Sequence, residues 1–285
     1  MTHITLFLFL KMQICSIIME VIGYIAALFI GISLGLIGGG GSILTVPVLV
    51  YLFTVNPLLA TSYSLFIVGA TSLVGAINNY RKNLVRIKIA LLFGASSITT
   101  VFITRKFLLP FIPDTIFSIR GFTVSHSLLT MVLFAVLMLM AANAMIRNGN
   151  NPRNKKRGDQ PKANFPKLLS YGVVVGLATG LLGAGGGFLL IPTLVLFVGL
   201  PMKEAVGTSL LIIALNSLIG FMGDVDHFII DWPFLATITT IAIAGIFMGT
   251  FLSKTINGEK LKKAFGWFVL TMGISILIKE LFFNS

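Results

Sequence analysis

The chain has 285 residues, of which 56% are hydrophobic and only 11% are charged. This composition excludes an ordinary water-soluble domain, in which about 25% of residues are charged, and it predicts a protein of the lipid bilayer. The net charge of +12 does not indicate nucleic-acid binding, because the basic residues lie between apolar runs and form no amphipathic face. Since Cys15 is the only cysteine, we expect no disulfide framework and no metal cluster of the cysteine type. We also expect no cofactor.

Residues 1–19 lie outside the pattern that organises the rest of the chain. They have the composition of a further membrane helix weakened by Lys11 and Gln13, but a signal-like leader fits as well. A third interpretation is that translation begins at Met19. The sequence does not choose among the three.

Eight apolar runs follow, and each approaches or meets the length of about 20 residues that crosses a bilayer as a helix. They cover residues 21–37, 58–78, 88–104, 128–146, 168–182, 203–222, 232–252 and 264–278. Two shorter runs, at 43–54 and 188–200, each follow a glycine cluster and predict half-helices. We therefore expect an all-α polytopic membrane protein with roughly eight spanning helices and two short segments.

One pattern occurs twice in the chain. Residues 31–50 read GISLGLIGGGGSILTVPVLV and residues 176–195 read GLATGLLGAGGGFLLIPTLV. Gly31 thus corresponds to Gly176, and the ungapped match continues to Gly75 and Gly220, which also lie 145 residues apart. A glycine break repeated in each half of an apolar chain is typical of transporters built from paired broken helices.

The loops between the apolar runs differ in charge. Residues 81–88 carry four basic residues and no acid (Arg81, Lys82, Arg86 and Lys88), whereas the equivalent residues 224–231 carry three acids and no base (Asp224, Asp226 and Asp231). The polar stretch 147–167 and the loop 254–263 are also mainly basic. By the positive-inside rule the three basic segments are cytoplasmic, so the two halves enter the membrane from opposite sides.

These observations predict two inverted repeats. The first covers residues 20–146 and the second covers residues 168–285, and residues 147–167 form a solvated cytoplasmic linker between them. We expect a multi-pass protein of the cytoplasmic membrane whose partner is the lipid bilayer. Assembly into a homo-oligomer is left open.

Two spaced motifs in each half carry a resemblance to a known family. The pattern G-x-x-x-G-x-x-G-x-G-G starts at Gly31 and at Gly176, a proline follows six residues after its end, and A-x-x-x-S follows at residues 60–64 and 205–209. This arrangement, over about residues 20–281, resembles the TauE/SafE sulfite exporter family of membrane permeases. The resemblance implies transport of sulfite, organosulfonates or related small sulfur-containing anions, without an ATPase domain in the chain. The insertion at 110–127 departs from the repeat symmetry.

The glycine clusters are candidate anion-binding segments. The first amides of a helix lack intrahelical partners and lie at the positive end of its dipole, and glycine lets a ligand approach the backbone closely. Two such helix ends near the membrane midplane suit an anion with two or three oxygens. The candidates are Gly38, Gly39, Gly40, Gly41 and Ser42 in the first half and Gly183, Gly185, Gly186 and Gly187 in the second. The alternative is that small residues only allow close packing, which we favour for Gly31, Gly35, Gly176 and Gly180.

Polar side chains within the apolar runs complete the candidate site. They are Ser64 and Thr71 in the first half and Thr208, Ser209 and Asn216 in the second, where Ser64 matches Ser209 and Thr71 matches Asn216; Ser72 and Ser217 also match. Hydroxyls and amides donate to an anion without burying a charge. The alternative is that they bond their own helix or a neighbouring one.

Other classes of protein fit the sequence less well. An intramembrane enzyme needs a nucleophile with a base, paired acids or a metal site, and the sequence offers none of these spacings. A non-transporting structural or sensory subunit remains an alternative. Because no acid lies in the middle of an apolar run, the sequence shows no proton carrier. It leaves open the identity of the anion, the direction of transport and the coupling.

Overall fold

The computed structural model describes residues 2–39, 41–104, 115–119, 122–147, 165–182, 187–225 and 228–283. The first half contains α1 (Thr2–Ile37), α2 (Gly41–Tyr51), α3 (Pro57–Tyr80), α4 (Ile87–Ile103), β1 (Thr115–Ile119), β2 (Phe122–Ser125) and α5 (His126–Arg147). The second half contains α6 (Phe165–Leu182), α7 (Gly187–Pro192), α8 (Met202–Asp224), α9 (Trp232–Thr255) and α10 (Gly258–Phe283). These elements confirm a helical membrane fold. The proposed linker lies largely outside the described residues.

Five helices among the described residues are long and apolar enough to cross a membrane. They are Met19–Ile37, Leu59–Tyr80, Met202–Asp224, Trp232–Thr255 and Gly258–Ile278. The apolar helix Ile87–Ile103 is shorter, and α5 and α6 coincide with the remaining predicted runs. The multi-pass architecture is thus confirmed, whereas eight crossings remain a prediction. Helix α1 starts at Thr2 and is continuous through the N-terminal extension.

One element was not expected from the sequence. Strands β1 and β2 pair antiparallel within the insertion at 110–127, with Thr115 opposite Ser125 and Ile119 opposite Phe122. The prediction of a purely α-helical chain is therefore wrong for this segment. The two strands, of five and four residues, pair their backbone groups along their facing edges only.

The two half-helices end in the same way. Thr54 and Gly199, which are equivalent in the repeat, both have positive φ, at 53° and 78°. Directly after them, the Val55 N–H donates to the Leu49 carbonyl (3.0 Å) and the Leu200 N–H donates to the Leu194 carbonyl (2.9 Å). This closure satisfies a carbonyl at the helix end and turns the chain into the next helix.

Each half-helix also contains a proline. Pro47 lies inside α2, and Pro192 ends α7, after which the chain continues as a π-helical turn, Thr193–Phe197. Proline lacks the N–H that would close the preceding turn, so a local change of helical pitch at this point has a direct cause. The second half-helix therefore extends over residues 187–197.

Helices α3 and α8 form the centre of the molecule. In each of them 67% of an apolar 18-residue stretch of the helix is buried inside the protein, compared with 33% in α1 and 28% in α10. Gly69 packs against Leu218, and Gly75 packs against Leu210. From the first of these contacts to the second, the residue number rises on α3 and falls on α8. The two helices, which are equivalent in the repeat, are therefore antiparallel.

Helices α5 and α10 show the same relation at the periphery. Gly266 lies 3.5 Å from the Ala142 carbonyl oxygen, and Gly273 lies 3.4 Å from that of Ala135, both measured from the position of an added Cβ. The order of these contacts again makes the pair antiparallel. Both pairs join helices that occupy equivalent places in the two halves.

Helices α1 and α9 pack in parallel through glycine. Gly31 contacts the Ala242 carbonyl, and a methyl group on Gly35 would lie 2.5 Å from the Ile246 carbonyl oxygen. No side chain fits at either position without moving the backbone of α9. The packing interpretation is therefore confirmed for both glycines.

Helices α6 and α4 form the equivalent contact between the two halves. A methyl group on Gly176 would lie 2.7 Å from the Ser97 carbonyl oxygen, and one on Gly172 would lie 2.8 Å from that of Phe93. The pairing is parallel, as between α1 and α9. Gly176 is thus also a packing glycine, and Gly180 lies on the same helix.

The acidic and basic loops lie at opposite ends of α3. Near its start, the Tyr63 hydroxyl accepts the Asp231 N–H (2.8 Å) before α9. Beyond its end, Lys82 lies close enough to Lys254, in the last turn of α9, for the two positive charges to interact. We call the end that carries Lys82 and Lys254 the basic end.

Candidate functional site

The first glycine cluster meets the start of the second half-helix. Gly39 contacts the Gly187 carbonyl, and the Ser42 hydroxyl lies 3.1 Å from the position of a Cβ on Gly187. Gly39, Gly41, Ser42 and Gly187 are all buried. The N-terminal ends of the two half-helices therefore converge inside the protein. Gly40, Gly183, Gly185 and Gly186 lie outside the described residues.

Gly38 shapes the break between α1 and α2. Its N–H donates to the Leu34 carbonyl (2.8 Å), and its φ of +79° is a conformation that L side chains rarely adopt. A methyl group here would lie 2.9 Å from the Ser209 hydroxyl and 3.0 Å from Val206. Glycine is required at this position both for the backbone conformation and for the approach of α8.

Ser209 brings α8 to the break. It is fully buried, its hydroxyl donates to the Val206 carbonyl (2.9 Å), and the same oxygen lies 3.4 Å from the Gly38 carbonyl oxygen. The neighbouring Ser42 hydroxyl donates to the Gly39 carbonyl (2.8 Å). Two buried hydroxyls thus lie at the first glycine cluster. Ser64, which is also buried, occupies the equivalent place on α3.

Thr208 makes a different contact. Its hydroxyl accepts the Arg86 N–H (3.1 Å) at the start of α4, at the basic end. This bond is the repeat equivalent of the bond between Asp231 and Tyr63 at the other end, because residues 86 and 63 correspond to residues 231 and 208. The structure therefore gives Thr208 a role in holding α4 and does not bring its hydroxyl to the glycine break.

Further polar groups are buried along the central helices. Asn216 is 8% exposed, and its Nδ2 donates to the Ser97 hydroxyl of α4 (3.2 Å). Its Oδ1 and the hydroxyls of Thr71, Ser72 and Ser217 have no hydrogen-bond partner among the described residues. Leaving a buried polar group unsatisfied costs about 1–3 kcal/mol, so such groups normally bind water or a ligand. Ser72 and Ser217 were not among the candidate site residues, although their equivalence in the repeat was a signal.

Arg86 and Glu204 link the two halves at the basic end. Arg86 Nε donates to Glu204 Oε2 (2.7 Å) and its second nitrogen donates to Oε1 (2.9 Å), which is the paired geometry of guanidinium and carboxylate. The hydrogen bond and then the charge of Glu204 raise the pKa of Arg86 above its ordinary value. The Arg86 side chain is 47% exposed, so this pair contributes at most about 1 kcal/mol to stability.

A cavity of about 200 Å³ lies at the same end. Val206 and Leu36 are among its lining residues. Val206 also contacts Gly38, so the cavity shares a wall with the glycine break. Three lysines line the cavity, and the sequence had indicated two of them, Lys82 and Lys254, only as topology signals.

These features define a class of protein. Long apolar helices, two half-helices whose N-terminal ends meet at Gly39 and Gly187, and buried hydroxyls without partners among the described residues are typical of a multi-pass membrane transporter with broken helices. Among the described residues, no group of three His, Cys, Asp or Glu side chains is arranged to hold a metal ion.

The chain belongs to the family described as Sulfite exporter TauE/SafE, which matches residues 23–276. It is 28% identical over 251 residues to a probable membrane transporter protein of Xylella fastidiosa (strain 9a5c), with 87% of this chain and 91% of the relative covered. It is 26% identical over 288 residues to the probable membrane transporter protein YunE of Bacillus subtilis (strain 168), with 93% and 98% covered. No solved structure gives a significant match. The family confirms the resemblance carried by the glycine motifs and identifies a membrane transporter, not an enzyme.

Proposed function

We propose that this transporter carries a small sulfur-containing anion, such as sulfite or an organosulfonate, across the cytoplasmic membrane. The observation that carries the proposal is the contact between Gly39 and Gly187, where the two half-helices begin. The free amides and the positive dipole ends of two helices favour an anion there without any buried basic side chain. The family's description supports sulfite as the first substrate to test.

The binding set that we propose follows the two breaks and the central helices. It contains Gly38, Gly39, Gly40, Gly41, Ser42, Ser64, Thr71, Gly183, Gly185, Gly186, Gly187, Thr208, Ser209 and Asn216. Among the polar members, the position of Ser209 beside Gly38 supports direct binding most strongly. The unsatisfied hydroxyl of Thr71 supports a second donor deeper in the protein. Thr208 has the weakest support, because it already accepts the Arg86 N–H.

The two halves are, in this proposal, repeats inverted in the membrane. The antiparallel packing of α3 on α8 and of α5 on α10 supports it, because each pair joins equivalent helices. The equivalent hydrogen bonds of Arg86 and Asp231 at opposite ends support it further. By the positive-inside rule, the basic end faces the cytoplasm. Such symmetry gives the anion site access from either side when one half moves against the other.

Reconstitution tests the proposal. Purified protein in liposomes should give saturable flux of labelled sulfite, and protein-free liposomes should not. Competition by sulfate and by a small organosulfonate ranks the accepted anions, and an imposed pH gradient tests proton coupling. Absence of protein-dependent flux for all of these anions would contradict the proposed substrate class, because the protein would then carry another solute.

A further inference from the structure

The cavity at the basic end is lined by three lysines, Lys82, Lys203 and Lys254, and we call it the lysine cavity. They come from the loop after α3, from the start of α8 and from the end of α9, so only the folded chain brings them together. Asn79 and Ser253 add an amide and a hydroxyl to the lining, and no carboxylate is among the lining residues.

Among the described residues, no carboxylate forms an ion pair with any of the three lysines of the lysine cavity. The ion pair that the described residues form at this end joins Arg86 to Glu204, outside the lining. Lys203 Nζ instead donates to the Lys254 backbone carbonyl (3.5 Å). Partial burial, and after it the charge of Lys254, lower the pKa of Lys82. Like charges gathered around one cavity repel one another, and a bound anion relieves this repulsion.

The lysine cavity adjoins the proposed transport site. Val206 lines the cavity, and its Cα and side chain lie 3.0 Å from the position of a Cβ on Gly38. Leu36, two residues before Gly38, lines it as well. Val206 and Leu36 thus lie between an anion held among the lysines and the first glycine break.

The chemistry of lysine favours recruitment of an anion from solution over selection of one anion among several. An ammonium group is a strongly hydrated point charge on a flexible stem and lacks the planar fork with which arginine reads an oxyanion. The cavity volume of about 200 Å³ is far above the roughly 10–15 Å³ that admits one water, so a hydrated anion fits. A cleft lined by one sign of charge raises the local concentration of its counter-ion.

We propose that the lysine cavity is a recruitment site on the cytoplasmic side that binds a small, solution-borne oxyanion such as sulfate or sulfite before it reaches the glycine break. The recruitment role rests on the proposed function, whereas oxyanion binding in the cavity does not. A phosphate headgroup of an anionic lipid shares the same chemistry, so the test must distinguish the two sources.

The test combines sulfate binding to the purified protein in neutral phosphatidylcholine with sulfite flux from the side of the lysine cavity. Combined Lys82→Gln and Lys203→Gln should weaken sulfate binding about tenfold and raise the KM about tenfold, with kcat changed less than about twofold. The matched control is combined Lys88→Gln and Lys263→Gln. It removes the same charge from exposed residues outside the lining and should change each quantity less than about twofold.

Three outcomes would overturn the proposal, and a fourth would contradict only the proposed substrate. Equal losses in the control pair would assign the effect to the net charge of this end, and unchanged sulfate binding in the cavity pair would show that the cavity holds no oxyanion. Loss of wild-type sulfate binding on adding phosphatidylglycerol would assign the cavity to a lipid headgroup. If the wild type shows no sulfite flux but the cavity pair still loses sulfate binding, the oxyanion site stands and the proposed substrate fails.

Discussion

Ser209 is the side chain through which α8 reaches the first glycine break. Its burial and its contact with Gly38 place one hydroxyl where the two half-helices begin. The hydroxyl hydrogen can turn from the Val206 carbonyl to an anion at little cost, because the oxygen atom itself stays in place. It therefore offers a donor without the penalty of a buried charge.

Replacing this hydroxyl should weaken binding more than folding. We expect Ser209→Ala to reduce the apparent affinity for sulfite by about 1.5–3 kcal/mol at most, the contribution of a hydrogen bond to a charged group. Uptake and sulfite-dependent thermal shift measured on the same variant give both quantities. The control is Ser170→Ala, which removes an exposed hydroxyl bonded within α6. Lower stability with retained affinity would remove Ser209 from the site.

Thr54 carries backbone strain that its repeat equivalent avoids. Both Thr54 and Gly199 end a half-helix with positive φ, but a non-glycine residue in this region costs about 1–2 kcal/mol. We expect Thr54→Gly to raise the thermal stability by up to about 1 kcal/mol after the entropy cost of glycine, and Gly199→Thr to lower it by about 1–2 kcal/mol. Thermal unfolding in detergent measures both. Equal shifts of the same sign would contradict the strain assigned to this turn.

Single residues show where sequence reasoning reaches its limit. The glycine clusters and Ser209 could be identified because they recur at a fixed offset. Lys203 gave no such signal, since its place in the lysine cavity depends on the tertiary fold, which brings the start of α8 close to the end of α9. Thr208 fitted the polar pattern, but its partner is the Arg86 N–H in a distant loop. Contacts between segments far apart in the chain follow from the tertiary fold and not from local composition.

At the scale of elements, glycine sets how closely the parallel pair α1 and α9 approaches. Gly31 and Gly35 meet backbone carbonyls of α9 directly, and Gly245 and Gly249 meet backbone atoms of α1 in return. In lipid, where apolar burial gives little drive for helix association, such close packing is a main source of stability.

This packing predicts opposite outcomes for two glycine-to-alanine changes. Gly31→Ala places a methyl group against the Ala242 carbonyl and should destabilise the protein by about 1–3 kcal/mol. Gly223→Ala, on α8, places a methyl group where nothing lies within 4 Å and should be neutral or stabilising by up to about 1 kcal/mol. Thermal unfolding of the two variants checks this, and a harmless Gly31→Ala would contradict the close contact.

Most helical elements followed from the sequence because each combines an apolar run with a definite break. The two half-helices were expected from the glycine clusters and their short lengths, and the start of α8 follows Pro201. The hairpin of β1 and β2 was missed. Its strands are five and four residues long, and apolar runs of that length do not distinguish strand from helix.

At the scale of the whole molecule, the two halves are joined by helix pairs that each contain one helix from the first half and one from the second. Helix α1 packs on α9 and α4 packs on α6, so that each half contributes a helix to the other. We therefore expect that a movement of one half carries with it the helix that packs on it from the other half. Such coupling would suit access from alternate sides in the transport mechanism proposed above.

The inverted arrangement predicts opposite accessibility of equivalent loops. With Cys15→Ala as the background, a cysteine at Asn83 should be shielded from an impermeant thiol reagent in intact cells, because the positive-inside rule predicts that the basic loop is cytoplasmic. A cysteine at Val225 should be labelled. Permeabilised cells, in which both positions should react, serve as the control. Labelling of both positions, or of neither, in intact cells would contradict inversion.

The most direct measurement of the central claim is sulfite flux through variants of the two glycine clusters. Gly40→Val and Gly185→Val each add a branched side chain where backbone amides are proposed to bind the anion, and each restricts the local backbone. We predict that each lowers flux at least about tenfold, as a loss of about 1.4 kcal/mol in binding gives, while the amount of protein in the membrane persists. Gly223→Val, in open space on α8, should retain flux. Wild-type flux in both cluster variants would contradict an anion site at the glycine breaks.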